Sequence, residues 1–280
     1  MQISTGLRTV ILTIFTAVSS SGCLKPLKIS PGGNNMNHDD KTAAIQLGPH
    51  SYEVKTLFKE SFEENKGNWL TDANPGATWE YDDSSLLGSW RQGGSVTWLK
   101  PVFKGDILVS VNAETLMPTE EQLDIFARGF RRKRFREGGK NLNLFILCSG
   151  PEGENMFDCY KPLLKQGTGP NGMGEDQYNG YFFTWTLGWA RFRYLPGYAK
   201  ASEWSGKGYK QPEIGKIHNI VALRMGNHIR YYIDGRLVHD YEDSKPHEQG
   251  QIGFCLWRNS ARIHDLTVYR IKDCSSAPEK

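Results

Sequence analysis

The sequence predicts an all-β protein, and three observations lead there. Thirteen Phe, twelve Tyr and eight Trp stand beside 30 Gly in 280 residues. Aromatic side chains suit the pleated, half-buried strand and glycines suit its turns, whereas helices draw on Ala, Leu, Glu and Lys. Apolar and polar residues alternate with period two in several stretches, and Gly226-Asn227 and Asp234-Gly235 carry two-residue hairpin chemistry. At 38% hydrophobic and 23% charged residues the chain can bury a sizeable core, which argues against disorder.

Taken in order, residues 1–22 read as a signal peptide. Arg8 supplies the positive start, and 9–18 (TVILTIFTAV) is an apolar run too short to span a bilayer. Gly22-Cys23 resembles a bacterial lipobox, in which Cys23 would carry lipid and become the mature N-terminus. Ser20 stands where such boxes usually have Leu, and plain secretion would use the same small residues. Residues 23–51, with Pro26, Pro31 and Gly32-Gly33, read as a polar tether, 52–273 as one folded domain and 274–280 as a tail. The expected location is therefore the periplasm or outer membrane, touching the membrane through a lipid anchor only. A multi-span membrane protein is excluded. With Cys23 lipidated, Cys148, Cys159, Cys255 and Cys274 remain. In an oxidising compartment their spacing suggests Cys148–Cys159 and Cys255–Cys274, although three pairings are open. There is no C-x-x-C pair, so zinc and redox sites have no support.

Within the domain, 107–114 alternates cleanly, with Ile107, Val109, Val111 and Ala113 on one face. Strands are also expected over 142–148, 181–186 and 190–194. The clearest unit is 216–243, where a strand over 217–225 turns at Gly226-Asn227 into 228–233. Asp234-Gly235 then makes a type I′ turn into 236–241. Two further strands, 251–257 and 261–271, flank Arg258-Asn259-Ser260. The whole reads as a β-meander, with no helical period to build a βαβ unit.

Four runs here carry a resemblance: GKIHNIV from Gly215, IRYYIDG ending at Gly235, GQIGF from Gly250 and IHDLTVY ending at Tyr269. They resemble the C-terminal half of a concanavalin A-like jelly roll, more narrowly exported bacterial proteins of that superfamily encoded among polysaccharide-degradation genes. The resemblance implies a β-sandwich of two antiparallel sheets. It says less about activity, since the superfamily holds lectins, glucanases, polysaccharide lyases and oligosaccharide dehydratases. Its retaining glucanases carry Glu-x-Asp-x-x-Glu on one strand. Here only Asp124 matches, with Gln122 and Ala127 at the other two positions, so glucanase chemistry is disfavoured.

The charge distribution points to an anionic sugar. Residues 128–136 hold five Arg and one Lys, and without them acidic residues would outnumber basic ones. Such a patch steers anions, and arginine suits bidentate binding of carboxylate or sulfate; a solvated basic loop would look the same. Nucleic acid is not an expected partner of an exported protein. Arg191 and Arg193, two apart on a strand, add a second pair. An anionic, uronate-containing or sulfated polysaccharide, or its oligosaccharides, suggests β-elimination. A cation neutralises the carboxylate, and a Tyr/His pair removes the C5 proton and protonates the leaving oxygen. Across the Asp234-Gly235 turn, Tyr232 faces Leu237, Arg230 faces His239 and His228 faces Tyr241, which nominates Tyr232 and His239 as catalytic and Arg230 as the carboxylate partner. Pairing the preceding strand instead places Val221, Leu223 and Met225 on that face, so either side could be core. Trp257 and His264 on the last two strands are candidate sugar contacts, Trp257 equally a core residue, and the aromatic run 178–189 shares that ambiguity. His218 suits a structural role. No metal site or cofactor is expected, with a bracing calcium ion left open. A lyase or dehydratase leads; a non-catalytic glycan-binding lipoprotein and a hydrolase with a non-standard site are the alternatives.

Overall fold

Alternation resolves into two antiparallel sheets in the computed structural model, which describes residues 43–273 apart from 65, 72–76, 91–93, 130–139, 157, 160–177, 197–198 and 258. The first sheet runs β1 (Ala43–Leu47), β2 (His50–Glu60), β17 (Ala261–Asp273), β8 (Ile107–Thr115), β13 (His218–Met225), β14 (His228–Ile233) and β15 (Arg236–Glu242). The pair β4 (Ala77–Asp82) and β5 (Ser85–Trp90) joins it beside β17. The second sheet runs β12 (Ala199–Ser205), β11 (Trp189–Leu195), β10 (Asn179–Trp185), β9 (Leu142–Ser149), β16 (Gln249–Trp257), β6 (Gly94–Leu99) and β3 (Trp69–Thr71), with β7 (Phe103–Lys104) on β16. A helix, α1 (Glu120–Gly129), lies between β8 and β9 in the chain.

The sheets meet on the faces that alternation marks as apolar. Ile107, Val109, Val111 and Ala113 of β8 bury against the layer that holds Leu144, Ile146, Phe183, Phe192 and Phe254. Each fully buried side chain of this kind stabilises by roughly 1.5–3 kcal/mol, which gives the sandwich its cohesion. The 226–227 and 234–235 turns form as expected: Met225 pairs with His228, and Ile233 with Arg236. Asp234 and Gly235 both adopt positive φ (48° and 76°), as a type I′ turn requires.

Two readings are corrected, and the weak glucanase match is placed on a helix. Strand β1 begins at Ala43, inside the stretch read as tether, and pairs with β2 over its full length. The meander ends at β15, because β16 enters the second sheet and β17 the first, so Trp257 and His264 belong to different layers. Gln122, Asp124 and Ala127 lie on α1, not on a strand. Thr119 and Gln122 close the helix start as a capping box: Thr119 Oγ1 accepts from the Gln122 amide at 3.2 Å and Gln122 Oε1 from the Thr119 amide at 3.0 Å. Gln122 Nε2 then donates to the Trp90 carbonyl and to Ser260 Oγ, so the residue at the nucleophile position of the glucanase pattern is a structural anchor.

Part of the outer face of the first sheet is itself buried. Val221, Leu223 and Tyr232 pack there with Leu47, Tyr52 and Val54 from β1 and β2. Arg230 Nη1 on β14 donates to the Tyr52 hydroxyl on β2 at 2.9 Å, although β17, β8 and β13 separate those strands in the sheet. The first sheet therefore rolls over its own outer face, which is why the facing of β13–β15 has two apolar solutions.

On the second sheet, Gly253 of β16 pairs directly with Trp98 of β6. A Cβ there would meet Trp98 at 2.6 Å and the Thr97 carbonyl oxygen at 2.9 Å. Gly253→Ala is expected to cost about 1–3 kcal/mol through overpacking. Chemical denaturation reads this directly, and an unchanged midpoint would mean that ring and strand yield freely.

Candidate functional site

The nominated catalytic pair does not assemble. A bulge at Val238 shifts the β14–β15 register, so that Tyr231 faces His239 while Tyr232 still faces Leu237. One inserted residue reverses the parity and sends Tyr232 and His239 to opposite faces. Tyr232 joins the apolar cluster on the outer face, where burial pushes its phenol far above the ordinary value. His239 turns between the sheets, where its ring lies parallel to that of Tyr231 (14°, centroids 5.8 Å apart) and Ser202 Oγ meets its Nδ1 at 2.8 Å. Desolvation holds its pKa at about 4, so the ring is neutral at pH 7, and its Nε2 has no hydrogen-bond partner among the described residues.

The other candidates separate as well. Arg230 is occupied by Asp240 (3.1 Å) and Tyr52 on the outer face of the first sheet. His264, beside a bulge in β17, lies 3.1 Å from Glu114 Oε1 on β8, and Arg262 ties the same carboxylate to Asp82. His218 is a lock, as expected: Nδ1 meets Asp234 at 2.8 Å and Nε2 accepts the Glu213 amide at 3.2 Å. Trp257 pairs with Gly94 at the end of β16, and its side chain lies outside the described residues. The same holds for the side chain of Arg128 and for 130–136, where the basic patch falls.

Cys148 and Cys159 are free thiols instead of the expected disulfide. Their sulfurs face different partners: Cys148 Sγ the Ile146 and Tyr181 carbonyls, Cys159 Sγ the Glu154 carboxylate at 3.9 Å. Burial raises the Cys148 thiol far above its ordinary range. Cys274 lies outside the described residues. Among the described residues, no group of three or more His, Cys, Asp or Glu could hold a metal ion.

What the structure does bring together is the outer face of the second sheet. Alternation and register align two rows across it. The first is polar on four strands: Glu203 (β12), Arg191 (β11), Thr184 (β10) and Asn143 (β9), continuing to Cys255 (β16) and Val96 (β6). The second holds Lys200, Arg193, Phe182, Phe145, Gly253 and Trp98 on the same strands. Phe145 stacks on Phe182 at 4.1 Å, and Trp98 lies 5.1 Å from Phe145. Arg191 and Arg193 sit 3.9 and 5.1 Å from the Trp189 ring, and Arg193 Nη1 donates weakly to Thr184 Oγ1 (3.4 Å). Glu203 accepts from Arg191 Nε, which holds its carboxyl below the usual range. Asn143 Nδ2 donates to the Cys255 carbonyl at 3.1 Å, while its buried Oδ1 has no partner among the described residues. Among the described residues of these two rows the cations are Lys200, Arg191 and Arg193, and the carboxylate is Glu203, which Arg191 and Lys200 both contact. With the Asn143 amide oxygen in the floor, the set offers hydrogen bonds to hydroxyl and anionic groups. Arg191 and Arg193 were legible in the sequence from their spacing. Thr184 and Asn143 were not, because a polar residue on a strand signals nothing until its neighbours are known.

A void of about 10 Å³ between the sheets, lined by Trp79, Val111, Phe254 and Leu256 among others, holds no more than a water-sized occupant. The fold and this outer face define the protein: a jelly-roll sandwich with a polar and cationic row across one sheet. No protein-family model and no curated protein matches the chain. Among solved structures it is similar to a protein of unknown function with a galectin-like fold from Bacillus subtilis, with TM-score 0.59 and 17% identity over 78% of this chain and 98% of that one. It is also similar to a carbohydrate-binding module from Bacillus subtilis (TM-score 0.46, 17% identity, 72% of this chain and 94% of that one). A Bacillus licheniformis beta-glucanase matches at TM-score 0.46 and 13% identity over 75% and 96% of the two chains. The first of these likenesses shows the fold, the galectin-like jelly roll that the concanavalin A-like resemblance implied.

Proposed function

We propose that this is an exported glycan-binding protein, lipid-anchored at Cys23, which holds an anionic sugar chain on the outer face of β9–β12. The observation that carries the reading is the convergence of Arg191, Arg193, Thr184 and Asn143 on one face beside Trp189. Arginines supply charge-assisted hydrogen bonds to carboxylate or sulfate, and the threonine and amide supply hydroxyl partners. The β-elimination favoured by the sequence rested on Tyr232 and His239, which point to opposite faces of their sheet. Binding needs neither.

The test is calorimetric titration of the mature chain with uronate-bearing, sulfated and neutral polysaccharides. The acidic chains are expected to bind, more weakly as salt rises. Arg193→Gln, which keeps the stem and a donor but removes the charge, is expected to weaken binding about tenfold, equivalent to ~1.4 kcal/mol. His264→Ala, on the other sheet, should leave affinity unchanged. Equal binding of neutral glycans, or a silent Arg193→Gln, would sink the reading. A rise in ultraviolet absorbance from a double bond conjugated to a carboxylate would restore elimination.

A further inference from the structure

We infer that Glu203 is a built-in competitor for the ligand's carboxylate and restrains the affinity of the site; this rests on the binding reading above. Glu203 and Arg191 pair directly across β12 and β11, and the register then shifts, so that Lys200 pairs with Arg193. In a regular strand Lys200 and Glu203, three apart, would point to opposite faces. The bulge takes up one residue and returns Lys200 to the face of Glu203, and Ser205, two further on, shares it. Three donors thereby converge on one carboxylate. Arg191 Nε and Lys200 Nζ (3.4 Å) both meet Oε2, and Ser205 Oγ donates to Oε1 at 3.1 Å.

A guanidinium, an ammonium and a hydroxyl are the partners that a sugar carboxylate would seek. Glu203 holds them first. Its Oε2 takes the Nε side of Arg191, and the guanidinium sits over the Trp189 ring at 3.9 Å, which covers another side. The hydrogen bond from Arg191 also holds the Glu203 carboxyl below the usual range, so the competitor is ionised wherever a uronate is. An incoming carboxylate must displace Glu203 or lie beside it. Displacement exchanges one carboxylate for another, and lying beside it sets two like charges together. Either way the ligand gains only part of what the cations offer.

The side chain has somewhere to go. Strand β12 is the outermost of its sheet, and the Glu203 and Lys200 side chains are 23% and 55% exposed, so a displaced carboxylate enters water. Exposed ion pairs of this kind are weak, so Glu203 moderates binding without abolishing it.

The experiment is calorimetric titration of the mature wild type and of Glu203→Gln with an unsulfated polyuronate at fixed salt. Glu203→Gln, which keeps the shape and removes the charge, is expected to bind about fivefold more tightly, the range open to breaking an exposed pair. Glu53→Gln, on β2 of the first sheet, removes the same charge away from the row and should stay within about twofold of the wild type. Unchanged or weaker binding by Glu203→Gln would overturn the inference, weaker binding because the carboxylate would then serve the ligand. An equal gain from Glu53→Gln would also overturn it, since net charge alone would account for the effect. In each of these cases the binding reading stands. No binding by the wild type or by either variant removes the binding reading, and this inference with it.

Discussion

Tyr231→Ala is expected to destabilise the fold by about 3–5 kcal/mol, the range for deleting a large aromatic side chain from a packed core. Tyr231 is fully buried between the sheets, with Phe183 stacked on one side at 4.5 Å and His239 on the other. Phe183 leans in turn on Phe192, so the ring belongs to a column through the interlayer core. Truncation leaves a hole that neighbours held by two sheets can only partly close. Tyr231→Phe provides the contrast. The hydroxyl is buried without a hydrogen-bond partner among the described residues, and burial pushes it far above its ordinary pKa. An unsatisfied buried hydroxyl costs about 1–3 kcal/mol, so its removal should be neutral or stabilising. Urea unfolding of both variants checks the pair. A Phe variant as damaged as the Ala variant would show that the hydroxyl is bonded.

The second large effect is a loss of stability in mild acid. His239 has a folded pKa of about 4 against an ordinary value of 6.5, because desolvation between the sheets disfavours the imidazolium. Below 6.5 the unfolded chain takes up a proton that the folded protein refuses until about 4. Stability from this group is therefore fully present above 6.5 and lost as the pH falls through that window. The gap corresponds to about 3 kcal/mol. His247 adds to the same slope, since burial lowers its pKa too, although its contact with the Leu195 carbonyl works the other way. Unfolding free energies measured at neutral pH and at about pH 4.5 should differ markedly in the wild type. His239→Gln, which cannot titrate yet can meet Ser202, should flatten the difference. A variant with the wild-type slope would place the acid sensitivity elsewhere.

The strands from 107 onward, β12 (Ala199–Ser205) excepted, were legible because each alternates or ends in a turn with its own chemistry. Those between 43 and 104 were not. In β2, Lys55, Thr56 and Leu57 are successively exposed, so period two breaks within the strand. In β1, AAIQL lies in a polar neighbourhood and reads as linker until its pairing with β2 is seen. The site was half legible: Arg191 and Arg193 lie two apart on one strand, but their company on β9 and β10 comes from cross-strand register. The expected Cys148–Cys159 bond failed for the same reason, since closeness in sequence does not aim two sulfurs at each other.

The sequence by itself determined the strand-and-turn character of the chain and its type I′ hairpin. These depend on period-two patterning and on φ preferences, which act within a few residues. The tertiary structure decided which faces are hidden. A single extra residue, Val238, reverses the facing of His239, and the roll of β1 and β2 buries an outer face that would otherwise be wet. Parity along a strand is local, but what lies above a face depends on residues far away in the chain.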